Sequence, residues 1–357
     1  MKKYNFYAGP AILPQEVIQQ TGEAVLNFAD TGLSIMEVSH RSKEITEVMD
    51  EAVANVYELL DFSKDDYSVL FLTGGASSQF FMTAMNVLSQ NQKAAYIDTG
   101  SWSTKAIKEA KHFGNVDVIA SSKDRNFCYI PKSYQVPADT TYLHYTSNNT
   151  IFGTEFHQLP DTDIPLISDM SSNIFSRPVD VNKHAIIYAG AQKNMGPAGV
   201  TLVIIKNSML GKVERAIPTM LDYNTHIKKN SSFNTPPVLP IYVSMLTMRW
   251  VKENGGVGAM EKRNIEKANV LYEEIDRNPL FTGTADREDR SRMNVCFLTK
   301  EESHQSPFFE MCTDAGCLGV KGHRSVGGFR ASIYNAMSKA GIQTLVEVMK
   351  DFERKYG

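Results

Sequence analysis

Residues 184–205 read HAIIYAGAQKNMGPAGVTLVII. The runs 184–190 and 200–205 have the apolar composition of buried strands, and the loop between them is rich in glycine and contains a proline. Lys193 lies in this loop, at the end of the first predicted strand. Desolvation at such a place disfavours an ammonium ion and lowers the pKa of the side chain. A neutral amine can bond to an aldehyde cofactor such as pyridoxal phosphate, whereas an average loop lysine simply extends into solvent.

The residues upstream of this stretch predict an α/β fold. Apolar runs typical of strands alternate with amphipathic runs typical of helices, which indicates a mostly parallel sheet covered by helices. The predicted strands are 68–73, 93–98, 116–120, 141–145 and 164–168, and the predicted helices are 14–29, 42–60, 77–89 and 101–113.

The pattern changes near residue 238 to two long helices, 239–254 and a second that ends near 278, followed by short strands at 294–298 and 328–333. This part predicts a smaller α+β domain. A chain of 357 residues is also long for a single core. We therefore expect a large α/β domain at 15–255 and a small α+β domain formed by 1–14 and 256–357.

Composition is that of an ordinary globular protein and argues against several functions. The formal net charge of -3 provides no broad basic surface for nucleic acid. No apolar run approaches membrane-spanning length, and the N-terminus lacks the apolar stretch of a signal peptide. The four cysteines are unclustered and have no histidine at zinc-ligand spacing. We expect no metal site, no membrane or nucleic-acid partner, and a reducing compartment, the cytoplasm.

Ligands of open α/β sheets bind at the carboxyl ends of the strands, so the residues after each strand are candidates. Gly74-Gly-Ala-Ser77 leads into a helix and can hold a phosphate on its amides, although an ordinary turn capped by Ser77 is the commoner arrangement. Trp102 lies at the next such corner, where it can stack on a planar ring or anchor the core. Asp169 follows a strand next to that of Lys193, where it can pair with a protonated pyridine nitrogen or simply cap a helix.

Two histidine–arginine pairs indicate small-anion sites. His40-Arg41 precedes a predicted helix, and His323-Arg324 precedes a glycine-rich strand that carries Arg330. The planar guanidinium group binds carboxylates and phosphates in a bidentate manner. A single arginine is usually a surface ion pair, but three arginines in such contexts favour a substrate with two anionic groups.

These residues lie in motifs by which the chain resembles the phosphoserine aminotransferases, pyridoxal-phosphate enzymes of fold type I in the class V aminotransferase family. The resemblance covers the whole chain. The motifs that carry it are 5–14 (NFYAGPAILP), 39–44 (SHRSKE), 74–80 (GGASSQF), 188–197 (YAGAQKNMGP), 234–237 (NTPP) and 322–336 (GHRSVGGFRASIYNA).

The resemblance implies a role for each matched residue. Lys193 would be the Schiff-base lysine and the proton carrier, Asp169 the partner of the pyridine nitrogen, and Trp102 the ring that stacks on the cofactor. The remaining cofactor contacts implied are Ala76 and Ser77 through their amides, Gln192, Thr150 at the phenolic oxygen, and Asn234 and Thr235 from a neighbouring subunit. The substrate contacts implied are Ala8, His40, Arg41, His323, Arg324 and Arg330, the last for the α-carboxylate.

The resemblance further implies a homodimer and reversible amino transfer between glutamate and 3-phosphooxypyruvate in serine biosynthesis, with a phosphorylated hydroxythreonine as a possible second substrate in pyridoxine biosynthesis. Two positions depart from many relatives. Ala8 replaces a serine, and Ala76-Ser77-Ser78 replaces a loop with arginine or cysteine. Both departures concern the binding of the substrate phosphate and leave the cofactor chemistry untouched.

Three alternatives remain at this point. A serine–pyruvate or alanine–glyoxylate aminotransferase would share the fold and the cofactor but would not need two histidine–arginine pairs. A cysteine desulfurase would need a mobile thiol, whereas Cys312 and Cys317 fall on a predicted helix. A nucleotide-binding protein without catalysis would use Lys193 only as an anion contact.

Overall fold

The computed structural model describes residues 2–357. The strands are β1 Tyr4–Asn5, β2 Tyr67–Leu72, β3 Lys93–Asp98, β4 Asn115–Ser121, β5 Thr140–Thr146, β6 Asn148–Asn149, β7 Thr154–Glu155, β8 Leu166–Asp169, β9 His184–Gly190, β10 Thr201–Lys206, β11 Phe281–Gly283, β12 Asn294–Thr299, β13 Cys317–Leu318 and β14 Phe329–Ser332. The α-helices are α1 Gln15–Leu26, α2 Lys43–Leu60, α3 Gly75–Val87, α4 Ser101–Ala110, α5 Tyr223–Ile227, α6 Val238–Glu253, α7 Gly256–Arg277, α8 Gln305–Asp314 and α9 Lys339–Tyr356.

A seven-stranded sheet in the order β2-β10-β9-β8-β5-β3-β4 forms the centre of the fold. Its strands run parallel except β10, which is antiparallel to both β9 and β2. The reason is the connection at 191–200, because a parallel crossover needs a dozen residues or more and this loop is shorter. The predicted mostly parallel α/β sheet is confirmed, and Lys193 lies in its one direct turn between neighbouring antiparallel strands.

The register of the sheet brings the predicted site residues to one edge. In the pairing of β8 with β9, Asp169 lies opposite Tyr188, and the chain leaves β9 two residues later at Gly190. The end of β8 and the loop that carries Lys193 are therefore adjacent, as the strand order in the sequence predicts. Asp169 is the last residue of β8 rather than the first residue after it, because the strand extends one residue beyond the predicted end at 168.

The helices pack on the sheet through clusters of buried apolar side chains. One cluster joins α1, α2 and α6 to one face of the sheet, and another joins α3 and α4 to the opposite face. A further cluster combines Tyr4 and Phe6 with residues of α7, α8 and α9 and with the small sheet β11-β12-β14. The chain start belongs to this cluster because β1 pairs in parallel with β13.

On the basis of these clusters we propose a division into a large domain, 15–255, and a small domain formed by 1–14 and 256–357.

The short strands β1, β11 and β13 could not be predicted from the sequence, since two or three residues are too few to show alternation. The longer elements follow the predicted ranges to within a few residues, and Ser42 accepts a hydrogen bond from the amide of Ile45 as the N-cap of α2.

Candidate active site

Lys193 is a partly buried side chain in the turn between β9 and β10. Its Nζ donates a hydrogen bond of 2.8 Å to Thr150 Oγ1 and lies 5.3 Å from the centroid of the Trp102 ring. Burial lowers the pKa of Lys193 to about 8, the Arg330 charge acts in the same direction, and Asp169 opposes it. A substantial fraction of this amine is therefore neutral at physiological pH, which is the form that attacks a carbonyl group.

Asp169 is a buried carboxylate held from one side. Its Oδ1 accepts hydrogen bonds from the amide and the hydroxyl of Ser171, at 2.9 and 2.6 Å. Ser171 Oγ in turn accepts from the amide of Gly190, so the carboxylate is fixed to the neighbouring strand. Burial raises the pKa of Asp169, while the Lys193 charge and the Ser171 donors lower it. A cationic partner would stabilise this carboxylate, as a protonated ring nitrogen does.

The N-terminus of α3 has the geometry of a phosphate cradle. Gly74 and Gly75 have φ angles of 94° and 66°, a region that glycine enters without strain. A Cβ atom on Gly74 would lie 2.0 Å from Ser78 Oγ and 2.8 Å from Ser78 Cβ, so a larger residue there would force Ser78 to move. The helix starts at Gly75 rather than at the predicted 77, which leaves the amides of Ala76 and Ser77 in its first turn, without helical acceptors.

Trp102 and Thr150 lie around the lysine. Trp102 is in the first turn of α4, and its Nε1 has no hydrogen-bond partner within residues 2–357. Thr150 lies in the buried loop between β6 and β7. Its hydroxyl accepts from Lys193, and its carbonyl oxygen accepts from the Arg330 guanidinium at 3.2 Å. Thr150 thus connects the lysine of the large sheet to the arginine of β14.

The start of the chain lines the same site. A Cβ atom on Gly9 would lie 3.3 Å from the Gln192 carbonyl oxygen and 3.6 Å from Lys193 Cγ. The carbonyl oxygen of the neighbouring Ala8 accepts a hydrogen bond of 2.7 Å from the Tyr334 hydroxyl. The structure therefore places Ala8 and Gln192 beside the lysine, and a contact of Ala8 with substrate stays a prediction.

Arg330 and the pair His323 and Arg324 belong to one loop and strand of the C-terminal part. Arg330 is partly buried, and its Nε has no hydrogen-bond partner within the described residues. Arg324 is exposed. Burial lowers the pKa of His323, and the charges of Arg330, Arg324 and Lys105 lower it further. These three cations disfavour protonation of His323, which is the arrangement expected where an anion binds.

The other predicted contacts are not brought to Lys193 within one chain. Among residues 2–357, the side chains of His40 and Arg41 form no hydrogen bond or ion pair with Lys193 or with the residues that contact it. Asn234 and Thr235 are exposed and share a pocket with Gly74 at the start of α3. Their predicted roles across a subunit interface stay predictions.

The residues present fit pyridoxal phosphate. A lysine with a lowered pKa, a buried carboxylate without an ion pair in residues 2–357, free amides at a helix N-terminus and an indole ring occupy one edge of the sheet. These are partners for an aldehyde, a ring nitrogen, a phosphate and an aromatic face, respectively. No group of three His, Cys, Asp or Glu side chains within residues 2–357 is arranged to hold a metal ion.

The fold and this site define an aminotransferase. The Aminotransferase class-V family matches residues 3–345, and the chain belongs to that family. The phosphoserine aminotransferase of Parabacteroides distasonis is 58% identical over 100% of both chains. The solved phosphoserine aminotransferase of Bacillus circulans subsp. alkalophilus is 44% identical, with a TM-score of 0.96 over 100% of this chain and 99% of that one. The pyridoxal-phosphate-bound enzyme of Trichomonas vaginalis is 39% identical, with a TM-score of 0.93 over 98% and 100%.

The alanine–glyoxylate aminotransferase of Nostoc sp. has 13% identity and a TM-score of 0.77 over 99% of this chain and 96% of that one, and it shares the fold alone.

Sequence reasoning missed residues that hold the functional groups in place. Ser171 fixes Asp169, and Asn194 fixes the lysine loop by donating to the Ile174 carbonyl oxygen and accepting from the amide of Asn335. The Ser171 contact could have been predicted from the sequence, since an aspartate often accepts a hydrogen bond from the amide two residues later. No local sequence pattern predicts the Asn194 contact, because Asn335 lies far along the chain.

Proposed function

We infer that the chain catalyses reversible transamination between L-glutamate and 3-phosphooxypyruvate, which yields 2-oxoglutarate and O-phospho-L-serine for serine biosynthesis. The relatives that match the chain over its full length have the same activity in their names. The observation that carries the inference is the position of Thr150, which contacts both Lys193 and Arg330. Thr150 thereby holds the Lys193 amine, which would transfer the proton, close to the Arg330 guanidinium, which would bind the substrate carboxylate.

Pyridoxal phosphate supplies an aldehyde for the amino groups and a ring that withdraws electrons from the reacting carbon. Lys193 Nζ would take the proton from the substrate Cα and deliver it to the C4′ carbon of the cofactor, a role that suits an amine with a pKa of about 8. Asp169 keeps a proton on the ring nitrogen by its charge. Trp102 covers the ring and excludes water on that face.

The amides of Ala76 and Ser77 would hold the cofactor phosphate, with Gln192 beside them, and Thr150 would contact the phenolic oxygen. Arg330 orients the α-carboxylate of either amino acid, so the Cα–H bond faces Lys193. His40, Arg41, His323 and Arg324 bind the distal anion, which is the phosphate of one substrate and the γ-carboxylate of the other. Transamination of a phosphorylated hydroxythreonine would use the same contacts.

The sharpest test compares two acceptors that differ only in the phosphate. With glutamate as donor, we expect amino transfer to phosphorylated hydroxypyruvate to exceed transfer to hydroxypyruvate by about 10²-fold in kcat/KM, because charge-assisted contacts to the phosphate are lost. Equal values for the two acceptors, or a preference for the unphosphorylated one, would favour a serine–pyruvate type of aminotransferase instead.

A homodimer is part of the proposal. Exposed apolar side chains precede the residues that would serve a partner: Leu33 and Met36 come before His40, and Phe233 comes before Asn234, with exposures of 48%, 64% and 44%. A partner subunit that covered these side chains would remove their apolar surface from water. Burial of the same residues in a dimer would bring His40, Arg41, Asn234 and Thr235 to the neighbouring Lys193.

Mixing a variant that lacks the catalytic amine with one that has a weakened distal-anion site tests this arrangement. In an equal mixture of Lys193→Ala and Arg41→Ala chains that has been allowed to exchange subunits, each mixed dimer would contain one complete site. At a substrate concentration well below KM, we expect the mixed dimers to contribute about a quarter of the wild-type rate, above the residual rate of the Arg41→Ala dimers, if subunits pair at random. Sedimentation of the wild type as a monomer, or no recovery in an exchanged mixture, would exclude the shared site.

A cytoplasmic location completes the proposal. The cysteines at 128, 296, 312 and 317 are free thiols, as expected in a reducing compartment. Cys296, Cys312 and Cys317 are buried apolar core residues, and burial raises the pKa of Cys317 to about 11. None of the helices in residues 2–357 combines the length and apolar composition needed to span a bilayer.

A further inference from the structure

Lys105 is a cation beside the active site that the chemistry above does not use. It lies on α4 three residues after Trp102, a spacing that places both side chains on one face of the helix. Its Nζ is 4.4 Å from the centroid of the Trp102 ring, and Lys193 Nζ is 5.3 Å from the same centroid. The indole ring therefore contacts the ammonium groups of both lysines.

Lys105 also shares a space with the cations of the C-terminal part. Its charge lowers the pKa of His323 together with the charges of Arg330 and Arg324, after the larger effect of burial. Lys105 and Lys193 both contact the Trp102 ring, and Lys193 and Arg330 both contact Thr150. Lys105 therefore lies on the active-site side of α4, and we call Lys105, His323, Arg324 and Arg330 the cationic rim.

The cationic rim has no internal counter-charge. Within residues 2–357, none of its four members forms an ion pair, whereas cations elsewhere do so, such as Lys93 with Asp139 at 3.0 Å. The chain as a whole carries more acidic than basic residues, so an acid-free group of cations is a local feature. Such a group is balanced by the charge of a ligand.

We propose that Lys105 binds the phosphate group of the phosphorylated substrate and thereby determines the preference for phosphate over carboxylate at the distal end of the site. This role rests on the proposed function, since it assumes a substrate with a distal anion. A phosphate carries a charge of about −1.5 to −2 on three oxygens, against −1 on two oxygens for a carboxylate. An exposed ammonium on a flexible stem interacts with the charge and needs no fixed geometry, so it favours the more highly charged group.

The test compares Lys105→Met, Lys105→Arg and the control Lys108→Met. Lys108 is exposed on the same helix, and its charge is not among those that lower the pKa of His323. For Lys105→Met we expect kcat/KM for O-phospho-L-serine to fall about tenfold, the effect of losing an exposed hydrogen bond to a charged group. We expect kcat/KM for glutamate to change less than about twofold. Competitive inhibition by inorganic phosphate should weaken in parallel, and Lys105→Arg should restore most of both.

The outcomes separate this inference from the proposed function. If the wild type does not use phosphoserine, the proposed function itself fails. If the wild type prefers phosphoserine but Lys105→Met changes both substrates equally or neither, the role of Lys105 is wrong. A matching loss in Lys108→Met would also overturn it, because the effect would then be that of net charge on the helix.

A second measurement does not depend on activity. Removal of the Lys105 charge should raise the pKa of His323, because a nearby cation disfavours the imidazolium form. Titration of the His323 ring signal by NMR in Lys105→Met and Lys108→Met should show the rise only in the former. An unchanged His323 titration would place Lys105 outside the cationic rim and end the proposal.

Discussion

The two halves of the active site are built in opposite ways. At the edge of the central sheet, Lys193 and Asp169 are fixed by short hydrogen bonds to Thr150 and Ser171, and burial sets their pKa values. At the cationic rim, Lys105 and Arg324 are exposed, and their charges are unpaired within the described residues. Contacts within the chain fix the side chains of the first half, whereas the second half lacks a charge that only a substrate brings.

The difference predicts how the activity should respond to substitutions in each half and to added salt. A group whose function depends on burial and fixed partners loses nearly everything when it is removed, and added salt affects it little. A group whose function depends on exposed charge loses less, and salt screens it. Arg330 lies between these cases, because it is partly buried and contacts Thr150.

The largest effect should come from Lys193→Ala. Within residues 2–357 no other lysine donates to Thr150, so proton transfer at the substrate Cα should slow by about 10³-fold or more. The fold should persist because the side chain ends in a loop, and the unfolding temperature should stay close to that of the wild type. The matched control is Lys108→Ala. Normal turnover by Lys193→Ala would show that the buried half is not the catalytic half.

The next effect concerns pH. A pKa of about 8 for Lys193 means that its amine is neutral far more often at pH 7 than a free lysine of pKa about 10.4, by about 10²-fold. In cofactor-free protein, a brief pulse of an acylating reagent should label Lys193 with a midpoint near pH 8, read by mass spectrometry of its peptide. The unfolded peptide 188–197 is the control. A midpoint shared by protein and peptide would contradict the lowered pKa.

Arg330→Ala should reduce kcat/KM by about 10²-fold for glutamate and phosphoserine alike, as expected for loss of a charged, hydrogen-bonded partner of a carboxylate. Both substrates carry the α-carboxylate, so steady-state kinetics with each should show the same loss. Arg330→Lys should recover part of it. A loss confined to one substrate would assign Arg330 to the distal anion and move it wholly into the exposed half.

The smallest effect should come from Arg324→Ala, about tenfold in KM for either distal anion, because an exposed cation contributes little and is screened. KM for phosphoserine in the wild type should therefore rise between low and high salt, while the Lys193 labelling midpoint stays nearly constant. An equal salt dependence of both quantities would remove the distinction between the two halves.

Much of the buried half follows from local sequence. Apolar runs 184–190 and 200–205 predict β9 and β10, and glycine at 74 and 75 predicts a turn before α3, because these features depend on neighbouring residues only. The adjacency of Asp169 and Lys193 follows as well, since consecutive strands of an α/β sheet are usually neighbours. Their pKa values could not be predicted in size, because burial depends on the packing of the whole sheet.

The sequence by itself determined the α/β alternation, the large sheet and the residue types that face its carboxyl edge, because periodicity and turn chemistry are encoded within short segments. Only the tertiary structure decided that Thr150 contacts both Lys193 and Arg330, that β1 pairs with β13, and that Lys105 and Lys193 contact the same indole ring. Each of these joins segments that are distant along the chain. Such contacts arise from the packing of whole elements, which no local pattern of residues specifies.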